Sequence, residues 1–476
     1  MEASVMSLFP WMSTGMERFK AIAEANMALS EMTAKTVSGS VDLIRQTLDL
    51  QVDAATRMVD GSGTQNMNWP GSETLPLFAV LLEANRDTMT RLLDSSSSHI
   101  LESLKKFSTE RAADINFMNL FTEAPPSQDW ETPYTEKNIL LDLPGLRLID
   151  FSAPGPHRIQ NYTVVFAPRA GHHSNIAEKT ALFLRDQGLT QMAVVEQKCA
   201  SDIPLTVDGK PHSEDFTGQV AQYKTILEFL KNKTGVPSHL VAVCQPGPLL
   251  MATLILYPNL GKTYGSAGSP MHTEGERGLL TDFSRLMGES YIDTLIDVFS
   301  ETIPEGDVGA GRRIYDGRLQ VLGFYYLGMD QHMKNFRKYY EDLKNNNTEA
   351  ADRQKEFYEW YNWTHHFPAE FIRDTYKKIF VGNELIRGTL TIGDKTVSIK
   401  NYPKNVPIWS LGGSKDDIVP PLQANGHLDL IEGMPEENKL PLVAEAGHMG
   451  LFRSSKVLKD FYTQVAAFML KHSDPA

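Results

Sequence analysis

The spacing of apolar residues along the chain first predicts helices. From about Ser13 to Asp60, apolar residues recur every three or four positions with polar residues between them, as in an amphipathic helix. This stripe consists of Val37, Val41, Ile44, Leu48, Val52, Ala55 and Val59. A second helical stretch runs from about Leu75 to Phe107, after the loop sequence GSGTQNMNWPGS. Residues 1–125 are therefore predicted as an N-terminal helical region whose apolar stripe needs a cover.

After the polar, proline-rich segment EAPPSQDWETP, which we predict to be a linker, short apolar runs alternate with helical patterns. The runs are YTVVFAP, QMAVVE, HLVAVC, TYGSAGSP, VPIWSLGGS and LPLVAEAGH, and the helices between them are predicted near residues 215–231, 248–257 and 456–470. Buried parallel strands have this composition. The alternation predicts an α/β protein with a doubly wound, mostly parallel sheet.

One long interval interrupts the alternation of strands and helices. From residue 271 to 403 the chain is mostly polar-aromatic helix, and this interval lies between two predicted strands. We expect it to form a helical cap over the carboxyl ends of the strands. Residues 126–270 and 404–476 are then the two parts of the sheet domain.

The composition of the chain limits which partners and which cellular compartment are expected. The 476 residues carry a formal net charge of −13 at pH 7, which disfavours nucleic acid and anionic lipid as partners. No run of about 18 apolar residues is present, so we expect no integral membrane segment. The opening sequence MEASVMSLFPWMSTGMERFK lacks the pattern of a signal peptide. With two cysteines no disulfide framework is expected, and the predicted location is the cytoplasm.

Cys244 lies where the strand-like run HLVAVC meets a helix-like run. A sharp strand-to-helix turn that carries Ser or Cys is the nucleophile elbow of α/β-hydrolases, and it favours small residues two before and two after the nucleophile. Ala242 meets the first requirement, whereas Pro246 replaces the usual glycine and is compatible with a first helical turn. A free cysteine on an apolar strand is often a buried structural residue, so this segment alone leaves both interpretations open. Cys199 has no elbow around it and is predicted to be structural.

The residues downstream of Cys244 favour catalysis by their order. α/β-hydrolases carry the nucleophile, then an acid, then a histidine, each after a strand. The segment WSLGGSKDDIVPP places Asp416 and Asp417 after a Gly-Gly turn, and LVAEAGHMGLF places His448 after the next strand. A histidine base needs a carboxylate that orients it. We therefore predict a triad of Cys244, Asp416 and His448, and we prefer Asp416 to Asp417 because it comes first after the turn.

Such a site also needs an oxyanion hole, because negative charge develops on the substrate oxygen. One N–H donor is predicted to be Gln245, at the start of the elbow helix. The other is expected from the loop VVFAPRAGHHSN, with Ala170 or Arg169 donating. His172 and His173 in this loop lack a third ligand nearby and make a poor zinc site. We expect them to shape the loop, and we expect neither a metal nor a cofactor.

Six segments carry a wider resemblance, and they are VVFAPRAGHHSN, VCQPGP, GRRIYDGRLQVLGF, EFYEWYN, GGSKDDIVPP and EAGHMGLFRSS. Together they resemble the intracellular polyhydroxyalkanoate (polyhydroxybutyrate) depolymerases of bacteria, in family order and over about Leu140 to Leu470. The Val-Cys-Gln-Pro elbow is the most specific of them, since most α/β-hydrolases carry serine in a Gly-x-Ser-x-Gly elbow. Residues before about Pro126 fall outside the resemblance.

The resemblance implies an α/β-hydrolase with Cys244 as nucleophile, Asp416 as acid and His448 as base. It also implies a carboxylic ester hydrolase that cleaves poly(3-hydroxybutyrate) stored as cytoplasmic granules, through a 3-hydroxyacyl thioester. Three alternatives stay open: a synthase-like acyltransferase, whose elbow is Gly-x-Cys-x-Gly; a depolymerase that uses a thiol instead of water; and a granule-associated scaffold. For the N-terminal stripe, the alternatives are packing on the chain's own domain, homodimerisation and attachment to the granule surface.

Overall fold

The computed structural model describes residues 10–59 and 75–476. The described chain divides into two compact units. The first, called here the α/β unit, comprises residues 125–332 and 359–476. No described helix is both long enough and apolar enough to cross a membrane.

The α/β unit is built around an eight-stranded sheet. In chain order its strands are β1 (Ile139–Asp142), β2 (Leu146–Asp150), β3 (Thr163–Phe166), β4 (Met192–Gln197), β5 (Ser238–Val243), β6 (Gly261–Ala267), β7 (Ile408–Gly413) and β8 (Lys439–Ala444). They are arranged in the order β1-β2-β4-β3-β5-β6-β7-β8. β2 runs antiparallel to both of its neighbours, and the other neighbouring strands are parallel. This topology is that of the α/β-hydrolase fold and confirms the predicted fold class.

The six strands predicted from the sequence correspond to β3 through β8. The sequence pattern does not indicate β1 and β2, because ILLD and LRLID are short and carry charged residues. The predicted linker before them has no regular helix or strand, but it is held in place. The Trp130 indole N–H donates to Glu196 Oε1 at 2.9 Å, and the N–H groups of Glu131 and Thr132 donate to the Glu178 carboxylate.

Two helices precede the α/β unit in the chain, and others flank its sheet. The N-terminal pair is α1 (Pro10–Val59) and α2 (Leu75–Thr122), and the sheet helices before the inserted interval are α3 (Glu178–Asp186), α4 (Phe216–Thr234) and α5 (Gly247–Leu256). Alternate strand residues, among them Val164 and Phe166, share a core cluster with α4 and α5. Asp215 caps the start of α4, where its carboxylate accepts from Gly218 N at 2.9 Å, and Gly235, with φ +80°, caps its end.

The interval between β6 and β7 is mostly helical, as predicted. Its helices are α6 (Leu279–Met287), α7 (Ser290–Phe299), α8 (Gly317–Leu327), α9 (Met329–Lys344), α10 (Thr348–Asn362), α11 (Ala369–Asp374) and α12 (Glu384–Arg387), with a π-helical turn at Thr375–Val381. Short antiparallel strand pairs join Ile314–Tyr315 with Phe367–Pro368 and Leu390–Ile392 with Lys395–Val397. Because β6 and β7 are neighbours in the sheet, the whole interval is an insertion between adjacent strands.

After β7 the remaining helices are short, apart from the last. They are α13 (Pro421–Asn425), α14 (Gly450–Arg453), α15 (Ser455–Val457) and α16 (Thr463–Lys471), with a π-helical turn at Leu458–Tyr462. This C-terminal segment packs with α3, and Tyr462 contacts Trp409 of β7 with ring centroids 6.3 Å apart. Helices thus pack against the sheet as a doubly wound arrangement requires.

The second unit, called here the helical unit, contains the described part of residues 6–124 together with residues 333–358. α1 and α2 run antiparallel, since Ser30 Oγ donates to Leu104 O at 3.0 Å and Lys20 pairs with Glu123 at 3.1 Å. The predicted cap interval of residues 271–403 therefore contributes residues to both units.

The end of α2 is covered by the contribution from residues 333–358. Phe121 contacts Phe336 with ring centroids 5.1 Å apart, and Phe117 contacts Tyr340 at 5.5 Å. The Tyr340 hydroxyl donates to Asp114 Oδ1 at 2.6 Å. Aromatic packing of this kind ties α2 to a segment that lies much later in the chain.

The predicted stripe on α1 is only partly covered. Val37, Val41 and Leu48 are half-buried, whereas Ile44 is 41% exposed. The side chains of Ala55 and Val59 lie outside the described residues. Homodimerisation and granule attachment through this region stay predictions.

Candidate active site

Cys244 occupies the turn between β5 and α5. Its φ angle is +63°, a left-handed conformation that residues other than glycine rarely adopt. The Cys244 N–H donates to Ala267 O at 2.8 Å, which ties the turn to the end of β6. A strained strand-to-helix turn that carries a nucleophilic side chain is the geometry of a nucleophile elbow.

Small residues on both sides make this tight turn sterically feasible. Ala242, two residues before the cysteine, is fully buried. After the cysteine, Pro246 has φ −69° and leads into the helix. A Cβ atom on the next residue, Gly247, would lie 2.6 Å from Ser269 Cβ, so glycine is required there. The small residue after the nucleophile is therefore Gly247, three positions after Cys244, whereas in the usual elbow it lies two positions after the nucleophile.

The structure brings the three predicted triad residues together. His448 Nε2 lies 3.2 Å from Cys244 Sγ, and His448 Nδ1 lies 2.8 Å from Asp416 Oδ2. Asp416 follows β7 and His448 follows β8, so the parallel strands deliver all three side chains to the same edge of the sheet. A nucleophile bonded to a base, which is in turn oriented by a carboxylate, can perform acyl transfer.

His448 lies between its two partners, and its side chain is 9% exposed. Burial by itself lowers the pKa of an imidazole, but the Asp416 carboxylate and Cys244 raise the pKa of His448 well above its ordinary value. A positive charge on His448 is thus stabilised by its two hydrogen-bond partners, Asp416 and Cys244. This environment favours the protonated, imidazolium form of His448.

The two adjacent acids of this turn have different surroundings. Asp416 is buried, and its Oδ1 accepts from Ile418 N and Val419 N, each at 2.9 Å. Its other oxygen contacts His448. Asp417 is exposed. The structure therefore pairs His448 with Asp416, the acid that we preferred from the sequence.

The predicted oxyanion donors lie beside Cys244. Arg169, Ala170 and Gln245 line the same cavity as the cysteine. Gln245 Oε1 accepts a hydrogen bond from Arg169 N at 3.2 Å. Among the residues that the structure describes, neither Gln245 N–H nor Ala170 N–H has an acceptor. These two N–H groups, rather than that of Arg169, are available to a substrate oxygen.

A buried ion pair supports the loop that carries these donors. Arg169 Nη1 donates to Glu214 Oε2 at 2.9 Å, and Arg169 Nη2 donates to Gly145 O at 3.1 Å. Burial alone raises the pKa of a carboxyl, but the Arg169 guanidinium and hydrogen bonds from His212 and Gln222 lower the pKa of Glu214 to about 2. Sequence reasoning missed Glu214, because nothing in PHSEDF distinguishes it from a surface carboxylate.

The two adjacent histidines of this loop contact different groups. His172 stacks on Trp360 with ring centroids 4.7 Å apart, and its Nε2 lies 3.0 Å from Tyr361 O. His173 Nε2 lies 3.2 Å from Glu196 Oε1. Both histidines therefore anchor the loop to other segments of the α/β unit, in the way expected from the sequence.

One group of side chains within the described residues has the spacing of metal ligands. Ligand atoms of Asp129, His173 and Glu196 lie within 4.8 Å of one another. However, Glu196 already accepts from Trp130 Nε1 at 2.9 Å and from Arg147 Nη1 at 3.0 Å. The Arg147 guanidinium, which bonds to the same carboxylate, disfavours a second cation there. These residues fit a hydrogen-bond network better than a metal centre.

A cavity of about 740 Å³ opens onto Cys244. Its walls come mainly from apolar residues of the inserted helices, including Leu280, Phe283, Leu295, Phe299, Leu319, Phe324, Ile372 and Ile379. Arg169 and Gln245 are among the few polar residues beside the cysteine. Such a cavity suits an uncharged, apolar acyl chain whose carbonyl lies next to the sulfur.

Residues 268–473 match the family model described as PHB de-polymerase C-terminus. A segment of 101 residues is 31% identical to the Poly(3-hydroxyalkanoate) polymerase subunit PhaC of Synechocystis sp.. Over residues 268–473 the chain is therefore similar to polyhydroxyalkanoate depolymerases, and its sheet has the α/β-hydrolase fold. The family match contains the inserted helices, Asp416 and His448, whereas Cys244 precedes it. The similarity to the polymerase subunit covers 21% of this chain and about a quarter, 24%, of that relative.

Solved structures similar to this chain include two lipases. The monoacylglycerol lipase of Paleococcus ferrophilus is 12% identical, with a TM-score of 0.40 over 69% of this chain and 99% of the lipase. A soluble variant of the monoglyceride lipase of Saccharomyces cerevisiae is 12% identical, with a TM-score of 0.43 over 74% of this chain and 99% of the lipase. The fold assignment rests on the strand order described above and not on these two structures.

Proposed function

We propose that this hydrolase is a depolymerase that cleaves the ester bonds of poly(3-hydroxybutyrate) and related polyhydroxyalkanoates. The contacts from Cys244 Sγ through His448 to Asp416, of 3.2 and 2.8 Å, at the base of an apolar cavity support this function. The match to the PHB de-polymerase C-terminus supports the class of polymer. The proposal assigns Cys244 as the nucleophile, His448 as the base and Asp416 as the acid.

In the first step Cys244 Sγ attacks the carbonyl carbon of the ester, and His448 holds the thiol proton on Nε2. A carbon–sulfur bond forms while the carbonyl electrons move to oxygen, which accepts hydrogen bonds from the N–H groups of Gln245 and Ala170. The bond between the carbonyl carbon and the alkoxy oxygen then breaks. His448 gives its proton to that oxygen, one polymer fragment leaves as an alcohol, and a 3-hydroxyacyl thioester remains.

Water completes the cycle. His448 accepts a proton from water as its oxygen attacks the thioester carbonyl, the carbon–sulfur bond breaks, and the second fragment leaves as an acid. The proton returns to Cys244 Sγ. Throughout, Asp416 accepts from His448 Nδ1–H and balances the charge of the imidazolium, while the N–H groups of Ile418 and Val419 fix the carboxylate.

We propose further that the enzyme works in the cytoplasm on polymer granules. Both cysteines, Cys199 and Cys244, are free, which suits a reducing compartment. Cys199 Sγ accepts from His366 N at 3.4 Å, in agreement with a structural role.

The similarity to a polymerase subunit favours one alternative, transfer of the acyl group to an acceptor other than water. The same thioester would form, and a hydroxyl or thiol would replace water in the second step. Ala242 and Pro246 stand where the synthase elbow has two glycines, which supports hydrolysis. The contacts among Cys244, His448 and Asp416 weigh against a scaffold without activity.

The test is incubation of the purified full-length protein with amorphous poly(3-hydroxybutyrate) granules, with and without coenzyme A as a thiol. Hydrolysis releases 3-hydroxybutyrate or its oligomers as acids in both mixtures, and thiolysis gives a thioester only where the thiol is present. Cys244→Ala is the control for contaminating esterases. Failure to release any product from granules and from soluble oligomers would exclude both reactions.

A further inference from the structure

Helices α6 and α7 of the inserted interval expose large apolar side chains. We propose that they form an adsorption surface, defined by Leu279, Phe283, Leu286, Val298 and Phe299, through which the enzyme binds the surface of an uncharged polyester. The identity of the polymer rests on the proposed function. Adsorption itself is a separate step that precedes catalysis.

The pattern of burial on α6 is the reverse of that of an ordinary surface helix. Thr281 and Ser284 are buried, and their hydroxyls donate to Gly278 O and Leu280 O. In contrast, Leu286 is 83% exposed, and Leu279, Phe283 and Met287 are exposed as well. These four residues recur at helical spacing and share one face. Exposed apolar patches of this kind mark interaction sites rather than ordinary surface.

The adsorption surface continues into the catalytic cavity. Leu279, Phe283 and Phe299 are each between 44% and 56% exposed, and all three also line the cavity that contains Cys244. On α7, Val298 is 65% exposed beside Phe299, while Ile292 and Ile296 of the same helix are buried and anchor it. The adsorption surface and the wall of the catalytic cavity therefore share the apolar side chains of Leu279, Phe283 and Phe299.

The charged side chains of these two helices all bond to other groups of the protein. The charged residues of α6 and α7 all have partners: Asp282 pairs with Arg277, Asp293 with Arg373 and Lys377, and Asp297 with Arg313, while Arg285 donates to Thr273 O. On α6 and α7, both described in full, the one cation is Arg285, which is half-buried, and the chain as a whole carries a formal charge of −13, so anionic lipid is a poor occupant. The occupant that fits is an uncharged apolar polymer.

The test compares two surfaces that lose the same kind of side chain. Leu286→Ser with Val298→Ser changes α6 and α7 outside the cavity lining. Leu43→Ser with Leu50→Ser is the matched control, because these α1 leucines are 65% and 70% exposed in the helical unit. Adsorption is measured by co-sedimentation with amorphous poly(3-hydroxybutyrate) particles, on proteins that also carry Cys244→Ala so that the particles stay intact.

We expect the α6–α7 variant to lose at least about tenfold in partition onto the particles, since two exposed aliphatic side chains no longer become buried there. Hydrolysis of a soluble 3-hydroxybutyrate oligomer, measured with Cys244 present, should stay within about twofold of the unmodified protein, and the thermal midpoint should be unchanged. The α1 variant should adsorb like the unmodified protein.

Unchanged adsorption of the α6–α7 variant, or an equal loss in the α1 variant, would overturn the inference. So would equal binding to vesicles of anionic phospholipid. If the unmodified protein hydrolyses no soluble oligomer while adsorption still depends on Leu286 and Val298, the proposed function fails and the adsorption surface stands.

Discussion

The carboxyl edge of the sheet and the paired helices α1 and α2 differ in how closely each residue is specified. At the sheet edge, Cys244 has a left-handed backbone and Gly247 has no room for a Cβ atom. On α1, Ile44 of the predicted stripe is 41% exposed and Leu43 beside it is 65% exposed. Catalysis requires one residue type at one point in space, whereas an amphipathic helix requires only that apolar residues recur at helical spacing. Function is therefore easier to infer at the first region than at the second.

Cys244 is the residue of the sheet edge whose substitution should have the largest effect. Cys244→Ala should reduce ester hydrolysis by about a millionfold, because the covalent step depends on the sulfur. The fold should be kept, since the change removes one atom from a turn held by backbone contacts. Turnover of a soluble hydroxybutyrate oligomer and the circular dichroism spectrum are the measurements.

Cys199→Ala is the matched control for this substitution, and it should leave the rate within about twofold. If the Cys244→Ala protein keeps the turnover of the unmodified protein, the elbow has a structural role only. The residue at the sheet edge would then be no more closely tied to function than the residues of α1.

The second largest effect at the sheet edge is expected from one of the two neighbouring acids, Asp416 and Asp417. Asp416→Asn should lower kcat by about ten-thousandfold, because the amide neither fixes the His448 tautomer nor balances the imidazolium. Asp417→Asn should change kcat less than about twofold, since the side chain is exposed. The reverse result would assign the acid role to Asp417.

Substitution of Glu214 tests whether its ion pair with Arg169 stabilises the loop that carries the oxyanion donors. Its pKa is lowered from 4.5 to about 2, so ionised Glu214 contributes roughly 3 kcal/mol of stability above pH about 5. Glu214→Gln should lose about that amount at pH 7 and lower kcat more than it changes KM. Urea unfolding at several pH values is the measurement.

The sign of the pH dependence follows from the lowered pKa. The stability gap between the unmodified protein and Glu214→Gln should be constant above about pH 5 and should close as the pH falls toward 2, because protonation removes the charge that Arg169 stabilises. A gap that stays constant down to pH 2 would contradict the role of the ion pair.

The smallest effect is expected on α1, where two adjacent positions separate its two faces. Ala23 is 5% exposed, whereas Ile22 is 57% exposed. Ala23→Glu should lower the free energy of unfolding by about 2 kcal/mol, because it buries an unpaired charge. Ile22→Glu should change it by less than about 0.5 kcal/mol. Equal losses would mean that a partner covers the outer face of α1. The residues on that face would then be constrained by packing, as those of the sheet edge are.

Much of the sheet and of the site was accessible from the sequence. β3 through β8 are recognisable because buried parallel strands are continuous apolar runs. Cys244, Asp416 and His448 are recognisable because each follows such a run in the order of an α/β-hydrolase. Their catalytic roles remain predictions, whereas their proximity is a property of the structure.

Other features depend on contacts between distant segments, and local sequence does not reveal them. Glu214 becomes significant only because Arg169, 45 residues earlier, lies against it. The exposed leucines of α6 match the spacing of an ordinary buried face, so the sequence does not show that Thr281 and Ser284 take the inner side. Gly247 replaces the usual small residue of the elbow only because Ser269 approaches its backbone.

The contacts of α2 with residues 333–358 have a consequence for synthesis on the ribosome. Asp114 and Tyr340, which share a hydrogen bond, are 226 residues apart. At about 5–20 residues per second, the end of α2 leaves the ribosome roughly 10 to 45 s before its aromatic partners. Phe117 and Phe121 are without those partners during that time, so α2 finishes folding only after residues 333–358 have been made. We therefore expect the nascent chain, more than the finished enzyme, to depend on chaperones that bind apolar segments.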